Sequence, residues 1–259
     1  MKERRAARSL YQWRFRTSAH ALAYRVASRF LDVLIALPLA GVALTDAARI
    51  WLRHARLRRH LRSASYDAIV DGGASVGEFA ALARRACPGA SLTCVEPNPE
   101  AAAVLRRGGF RVVEAALWKE PGRLTLRQPA VEITSCSVVA AASPEAPAWE
   151  VNAVRLDALG IDGRRVFVKL DLQGAEKEAL EGAEGVWGQC EAFLLEVSYG
   201  PGGTYEEIRA WMKDHGFVEA ATFNELDGAK LPLEADKLFV RDLYDGRARS
   251  RGQATKLTN

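Results

Sequence analysis

From Ser63 onward, short apolar runs alternate with stretches of helical periodicity, and this alternation constrains the chain more than any other feature. A strand buried on both faces needs a crossover helix to reach its parallel neighbour. The pattern therefore predicts an open α/β sheet. Strands are expected over 67–71, 91–96 and 111–115, with helices over 76–87 and 99–107. Between Leu117 and Leu156 the helical period fails, and the runs 122–127, 131–139 and 149–156 read as short inserted strands. Alternation resumes with strands at 166–171 and 192–198, helices at 175–186 and 204–215, and closing strands at 217–223 and 237–244.

The first 62 residues are different in kind. They carry 14 Lys and Arg against three acids (Glu3, Asp32, Asp46), whereas the whole chain has a net charge of only +4. Residues 1–62 are read as a basic, largely helical extension, 63–245 as the main domain and 246–259 as a flexible basic tail. The apolar stretch 33–45 is too short to span a bilayer, which takes about 20 residues, and Pro38 interrupts it. Two roles stay open for the extension: packing on the body or on a second subunit, and peripheral contact with the inner face of a membrane. No nucleic-acid recognition motif is present. Cys87, Cys94, Cys136 and Cys190 form no C-x-x-C pair and read as reduced thiols, which points to a cytoplasmic protein.

Chemistry concentrates in Asp71-Gly72-Gly73-Ala74-Ser75-Val76-Gly77, between a strand and a helix. Glycines there allow a tight turn and let a ligand approach the backbone beside exposed helix N–H groups. Glu96 ends the next strand, where an acid can accept both hydroxyls of a ribose. An adenosine-containing cofactor follows. Ala74 stands where a dinucleotide fingerprint wants its second glycine, and Asp71 would repel phosphate but balance a sulfonium or ammonium. Charge thus favours S-adenosylmethionine, while Asp71 as an ordinary turn aspartate is the alternative.

Four segments in order, 70–79 (VDGGASVGEF), 95–99 (VEPNP), 168–176 (VKLDLQGAE) and 235–240 (ADKLFV), resemble the FkbM-type family of S-adenosylmethionine-dependent methyltransferases. The resemblance covers roughly Tyr66 to Tyr244. It implies a class I methyltransferase fold: a Rossmann-like, mostly parallel sheet of seven strands whose last strand inserts antiparallel. It also implies O-methylation of hydroxyls on sugars or secondary metabolites. Carried over, Asp71, Gly73, Ser75 and Gly77 line the methionine end of the cofactor. Glu96 holds the ribose with Pro97 and Asn98 beside it, and Ala115, Ala116 and Leu117 flank the adenine.

On the acceptor side, Asp171 is the first candidate for the base that takes a hydroxyl proton, followed by Glu176 and Glu196. Glu176 also fits a first-turn helix acid, and Glu196 a partner of Lys169 or Arg241. The family pattern usually has Glu where this chain has Gln173, which thins the carboxylates, and no obligatory metal is expected. His215 suits a helix end. The run Thr134-Ser135-Cys136-Ser137 and Trp149 are candidates for an acceptor pocket. The expected function is O-methyl transfer to a small-molecule or glycan hydroxyl, with no nucleic-acid partner. Two alternatives stand beside it: an NAD(P)-dependent oxidoreductase, and a non-catalytic cofactor-binding module in a membrane-associated glycan assembly.

Overall fold

The computed structural model describes residues 46–127, 148–200, 202–227 and 232–242. The apolar stretch 33–45, the expected strand 131–139 with its Thr134–Ser137 run, and the tail from 246 lie outside the described residues. The chain divides into two units, 1–59 and 60–259. Helix α1 (Asp46–Ala64) contains the division. No helix among the described residues is long and apolar enough to cross a membrane.

The second unit is built on a seven-stranded sheet. In chain order its parts are β1 (Ala68–Gly72), α2 (Glu78–Ala86), β2 (Ser91–Val95), α3 (Pro99–Arg107) and β3 (Arg111–Val113), then β7 (Val166–Leu170), α4 (Glu176–Glu181), β8 (Cys190–Ser198), α5 (Tyr205–Asp214), β9 (Phe217–Asp227) and β10 (Pro232–Arg241). The spatial order is β3-β2-β1-β7-β8-β10-β9. Neighbours from β3 through β8 pair in parallel, and β10 inserts antiparallel between β8 and β9. This is the doubly wound sheet with an antiparallel last strand that the resemblance implies.

The centre of the sheet is apolar on both sides. All five residues of β1 are buried, and β7 reads Val-Phe-Val-Lys-Leu with only Lys169 partly open. On one face Val70, Val168, Leu170, Phe193 and Leu195 pack against Leu180, Ile208 and Met212 from α4 and α5. Phe193 meets Phe217 edge-on at 5.2 Å. The helices are capped as their sequences allow. Asn98 Oδ1 accepts from the amides of Glu100 (2.9 Å) and Ala101 (3.4 Å), with Pro99 in the first turn of α3.

The inserted region forms a separate three-stranded sheet in the order β4-β6-β5 (Ala116–Leu117, Ala148–Val154, Gly122–Arg127). The expected single helix over 175–186 is two pieces, α4 and a 3-10 turn at Glu184–Val186. Helix α4 ends at Gly182, whose backbone passes close to Trp118. A Cβ at Gly182 would lie 2.4 Å from the Trp118 carbonyl oxygen, so the chain passes β4 at van der Waals contact only as glycine. Gly182→Ala should therefore destabilise by about 1–3 kcal/mol, read as a lower urea midpoint at unchanged slope.

Candidate active site

The carboxyl ends of β1, β2, β7 and β8 converge where open α/β sheets take their ligands. After β1 the chain turns through Gly73 and Ala74, whose amides donate to the Val95 carbonyl at 3.0 and 3.2 Å, and the Gly77 amide closes on Ala74 O at 2.9 Å. Gly73 has φ +67°, and a Cβ there would stand 1.9 Å from the Asp171 carbonyl oxygen. The glycine loop thus lies directly against the end of β7. Gly77, at φ +90°, leads into α2.

Glu96 is buried and joins this loop to the end of β2. Its Oε2 accepts from the Ser75 amide at 2.7 Å and its Oε1 from the Asn98 amide at 2.9 Å. Each oxygen retains a lone pair, so accepting hydroxyls as well is geometrically open. Burial pushes its pKa up, against the two amides that pull it down. Pro97 is half-buried beside it. Ala115, Ala116 and Leu117 are buried. Leu117 belongs to the main core, its Cδ1 within 2.7 Å of where a Cβ on Gly72 would sit.

Asp71, expected from its charge to balance the cationic cofactor, lies inside the end of β1. It is fully buried, and neither carboxylate oxygen accepts a well-aligned hydrogen bond. Its neighbouring charge is the Lys169 ammonium, 3.3 Å from Oδ1 and in register on β7. Burial raises the Asp71 pKa while Lys169 opposes that rise.

Three acceptor-side carboxylates divide into a pair and a single group. Asp171 Oδ1 and Glu196 Oε2 both accept from the Gln173 Nε2, at 3.1 and 2.8 Å. Burial drives the Asp171 pKa up, but Lys169, then Gln173 and Glu196, bring it below the usual value. Glu196 moves well above its ordinary range through burial and the adjacent Asp171, so the titrations of the two carboxylates are pushed in opposite directions. Glu176 is spent elsewhere. It is 1% exposed, and its oxygens accept the amides of Leu172 (2.6 Å) and Gly174 (3.1 Å), closing the turn in which Gln173 takes φ +55°. Among the described residues no group of His, Cys, Asp and Glu is arranged to hold a metal.

His215 and Trp149 both sit in local packing. His215 closes α5, its Nδ1 2.7 Å from Trp211 O, stacked between Trp187 and Trp211. Trp149 packs against the small core of the inserted sheet. Reading from sequence missed Lys169 and the bridging amide of Gln173. The signal was present in Lys169-x-Asp171, since a period of two puts both side chains on one face of a strand.

A family model described as the methyltransferase FkbM domain matches residues 71–219. No curated protein matches the chain. Among solved structures it is similar to an FkbM methyltransferase from Methylobacillus flagellatus (16% identity, TM-score 0.45), covering 68% of this chain and 44% of that one. It is also similar to a precorrin-6y C5,15-methyltransferase from Geobacter metallireducens (14%, TM-score 0.42), over 79% of this chain and 93% of that one. An rRNA methylase from Streptococcus thermophilus (12%, TM-score 0.43) aligns over 77% and 99%.

Glu176 gives the site a pH signature. Burial lifts its pKa from 4.5 to about 7, against the amides it accepts. The fold then binds an extra proton between those values, so stability falls as pH rises through that window, by roughly 3 kcal/mol in full. Urea midpoints should show Glu176→Gln gaining on the wild type as pH rises from 5 to 7.

Proposed function

The chain belongs to the FkbM methyltransferase family, and on that premise we propose that it moves a methyl group from S-adenosylmethionine to a hydroxyl of a sugar, glycan or secondary metabolite, with Asp171 as the proton acceptor. The observation that carries this reading is the contact between the two halves of the site. The backbone of Asp171 abuts Gly73 so closely that no side chain fits between them. A carboxylate at the end of β7 therefore stands beside the loop assigned to the methyl donor.

The residues present fit that cofactor. Gly73, Ser75 and Gly77 form a tight turn at left-handed φ values that a ligand can meet at the backbone, and Glu96 offers two buried acceptor oxygens for ribose hydroxyls. Pro97 borders the same edge. Ala115 and Ala116 offer apolar surface for adenine, while Asn98 shapes the edge by capping α3. When bound, the sulfonium supplies an electrophilic methyl group with a neutral thioether as its leaving group.

Asp171 is kept ionised by Lys169 and oriented by Gln173. It can accept a hydrogen bond from an acceptor hydroxyl and turn an oxygen lone pair toward the donor. A strong base is unnecessary, because a protonated ether is far more acidic than any carboxylic acid and releases its proton to Asp171 once the C–O bond forms. Burial and Asp171 push the Glu196 pKa up, which disfavours a second negative charge beside the reacting oxygen. Glu176 shapes the turn that presents Gln173.

Calorimetry should show S-adenosylhomocysteine binding the wild type and Asp171→Asn with similar affinity, and binding Glu96→Ala roughly 10–100-fold more weakly. Asp171→Asn should lose about 100-fold or more in transfer of labelled methyl to a panel of glycans and secondary-metabolite alcohols. The transferred label should survive alkali as an ether does. Heat with NADH and none with S-adenosylhomocysteine would overturn the reading in favour of a dehydrogenase.

A further inference from the structure

Lys169 projects from β7 in register with Asp71 on β1. Its Nζ lies 3.3 Å from Asp71 Oδ1 and 3.3 Å from Asp171 Oδ2. It donates to the Gly73 carbonyl at 3.0 Å and approaches that of Gly72 at 3.4 Å. These four acceptors belong to different parts of the site: the buried end of β1, the glycine loop, and the carboxylate on the acceptor side. A lysine that only neutralised Asp71 would have no need to hold the loop carbonyl or to reach Asp171. An ammonium has three protons and no preferred plane, so it can join three partners that share no common direction.

We infer that Lys169 is a positioning residue, whose ammonium locks the donor loop and the proton-accepting carboxylate to each other. The inference rests on the reading of Asp171 given above and adds how that carboxylate is held. The surrounding charges agree with the geometry. Burial would lower the Lys169 pKa, but Asp171 and Asp71, followed by Asp236 and Glu196, overcome it and raise it. Asp171 faces Lys169 from its own strand, Asp71 from β1, Gln173 and Glu176 from the turn and α4, and Glu196 from β8. Lys169 is the cation among them. Remove it and burial, Asp71 and Glu176 favour the protonated form of Asp171, with the hydrogen bonds of Gln173 and Glu196 left to oppose them.

The test uses the full chain with 13C-labelled aspartate, the Asp171 carboxyl signal being identified by its loss in Asp171→Asn. In the wild type that carboxyl should titrate below the ordinary aspartate value of about 3.9. Lys169→Met is combined with Asp71→Asn, so that no uncompensated charge is left inside the sheet. In this double variant the Asp171 titration should rise by about one pH unit or more, and S-adenosylhomocysteine should bind at least about 10-fold more weakly. A purely structural lysine, replaced together with its counter-ion, would move neither. An unchanged titration and affinity in a folded double variant would overturn the inference. If the double variant does not fold, a wild-type titration at or above 3.9 overturns it and one below supports it. Absence of S-adenosylhomocysteine binding in the wild type would instead count against the proposed function, leaving the carboxyl titration to judge Lys169.

Discussion

A carboxylate sealed inside a sheet has to be neutralised where it stands, and Asp71 is sealed completely. Water is excluded, and no well-aligned donor reaches either oxygen. The compensation comes from one ammonium on the adjacent strand. That requirement fixes much else. Lys169 must leave β7 on the face that Asp71 uses, so the β1–β7 register cannot slip by one residue without burying an unpaired charge. The same register brings the end of β7 under Gly73. The β1–β7 register, the contact of the glycine loop with the end of β7 and the placement of Asp171 are therefore tied to how one buried charge is met.

The carboxylates of this site show how little residue type says about role. Glu96, Asp171, Glu176 and Glu196 are all acids at the ends of strands or the start of a helix. Glu96 and Glu176 each accept backbone amides and close a turn. Asp171 and Glu196 share the Gln173 amide, and burial with mutual repulsion pushes the titrations of that pair apart. Neighbours less than 4 Å away decide which acid holds a turn and which way each one titrates.

Most of the fold was legible because strand and helix periods differ. Helix 99–107 and strand 122–127 begin and end where the pattern put them, since Pro99 and the alternation of Gly122–Arg127 are local signals. The close approach at Gly182 was not legible, because it is made to the carbonyl of Trp118, more than sixty residues away in sequence. The glycine loop and Glu96 were visible as a motif, but the pairing of Asp71 with Lys169 was not. A side chain at the last buried position of a strand can point to ligand or core, and only the pairing of β1 with β7 decides. The acceptor side was the least legible part, since its geometry depends on a turn with φ +55° at a non-glycine residue.

The antiparallel insertion of β10 sets an order of assembly. Strand β9 has β10 as its sheet neighbour, and β10 bridges it to β8. A nascent chain that has emerged only as far as β9 must leave the edge of β8 uncovered, with Phe193 and Leu195 short of the neighbours that β10 supplies. Until Pro232–Arg241 clears the ribosome, that edge is a template for the wrong partner, and the interval between the emergence of β8 and that of β10 is the one in which misassembly threatens this sheet.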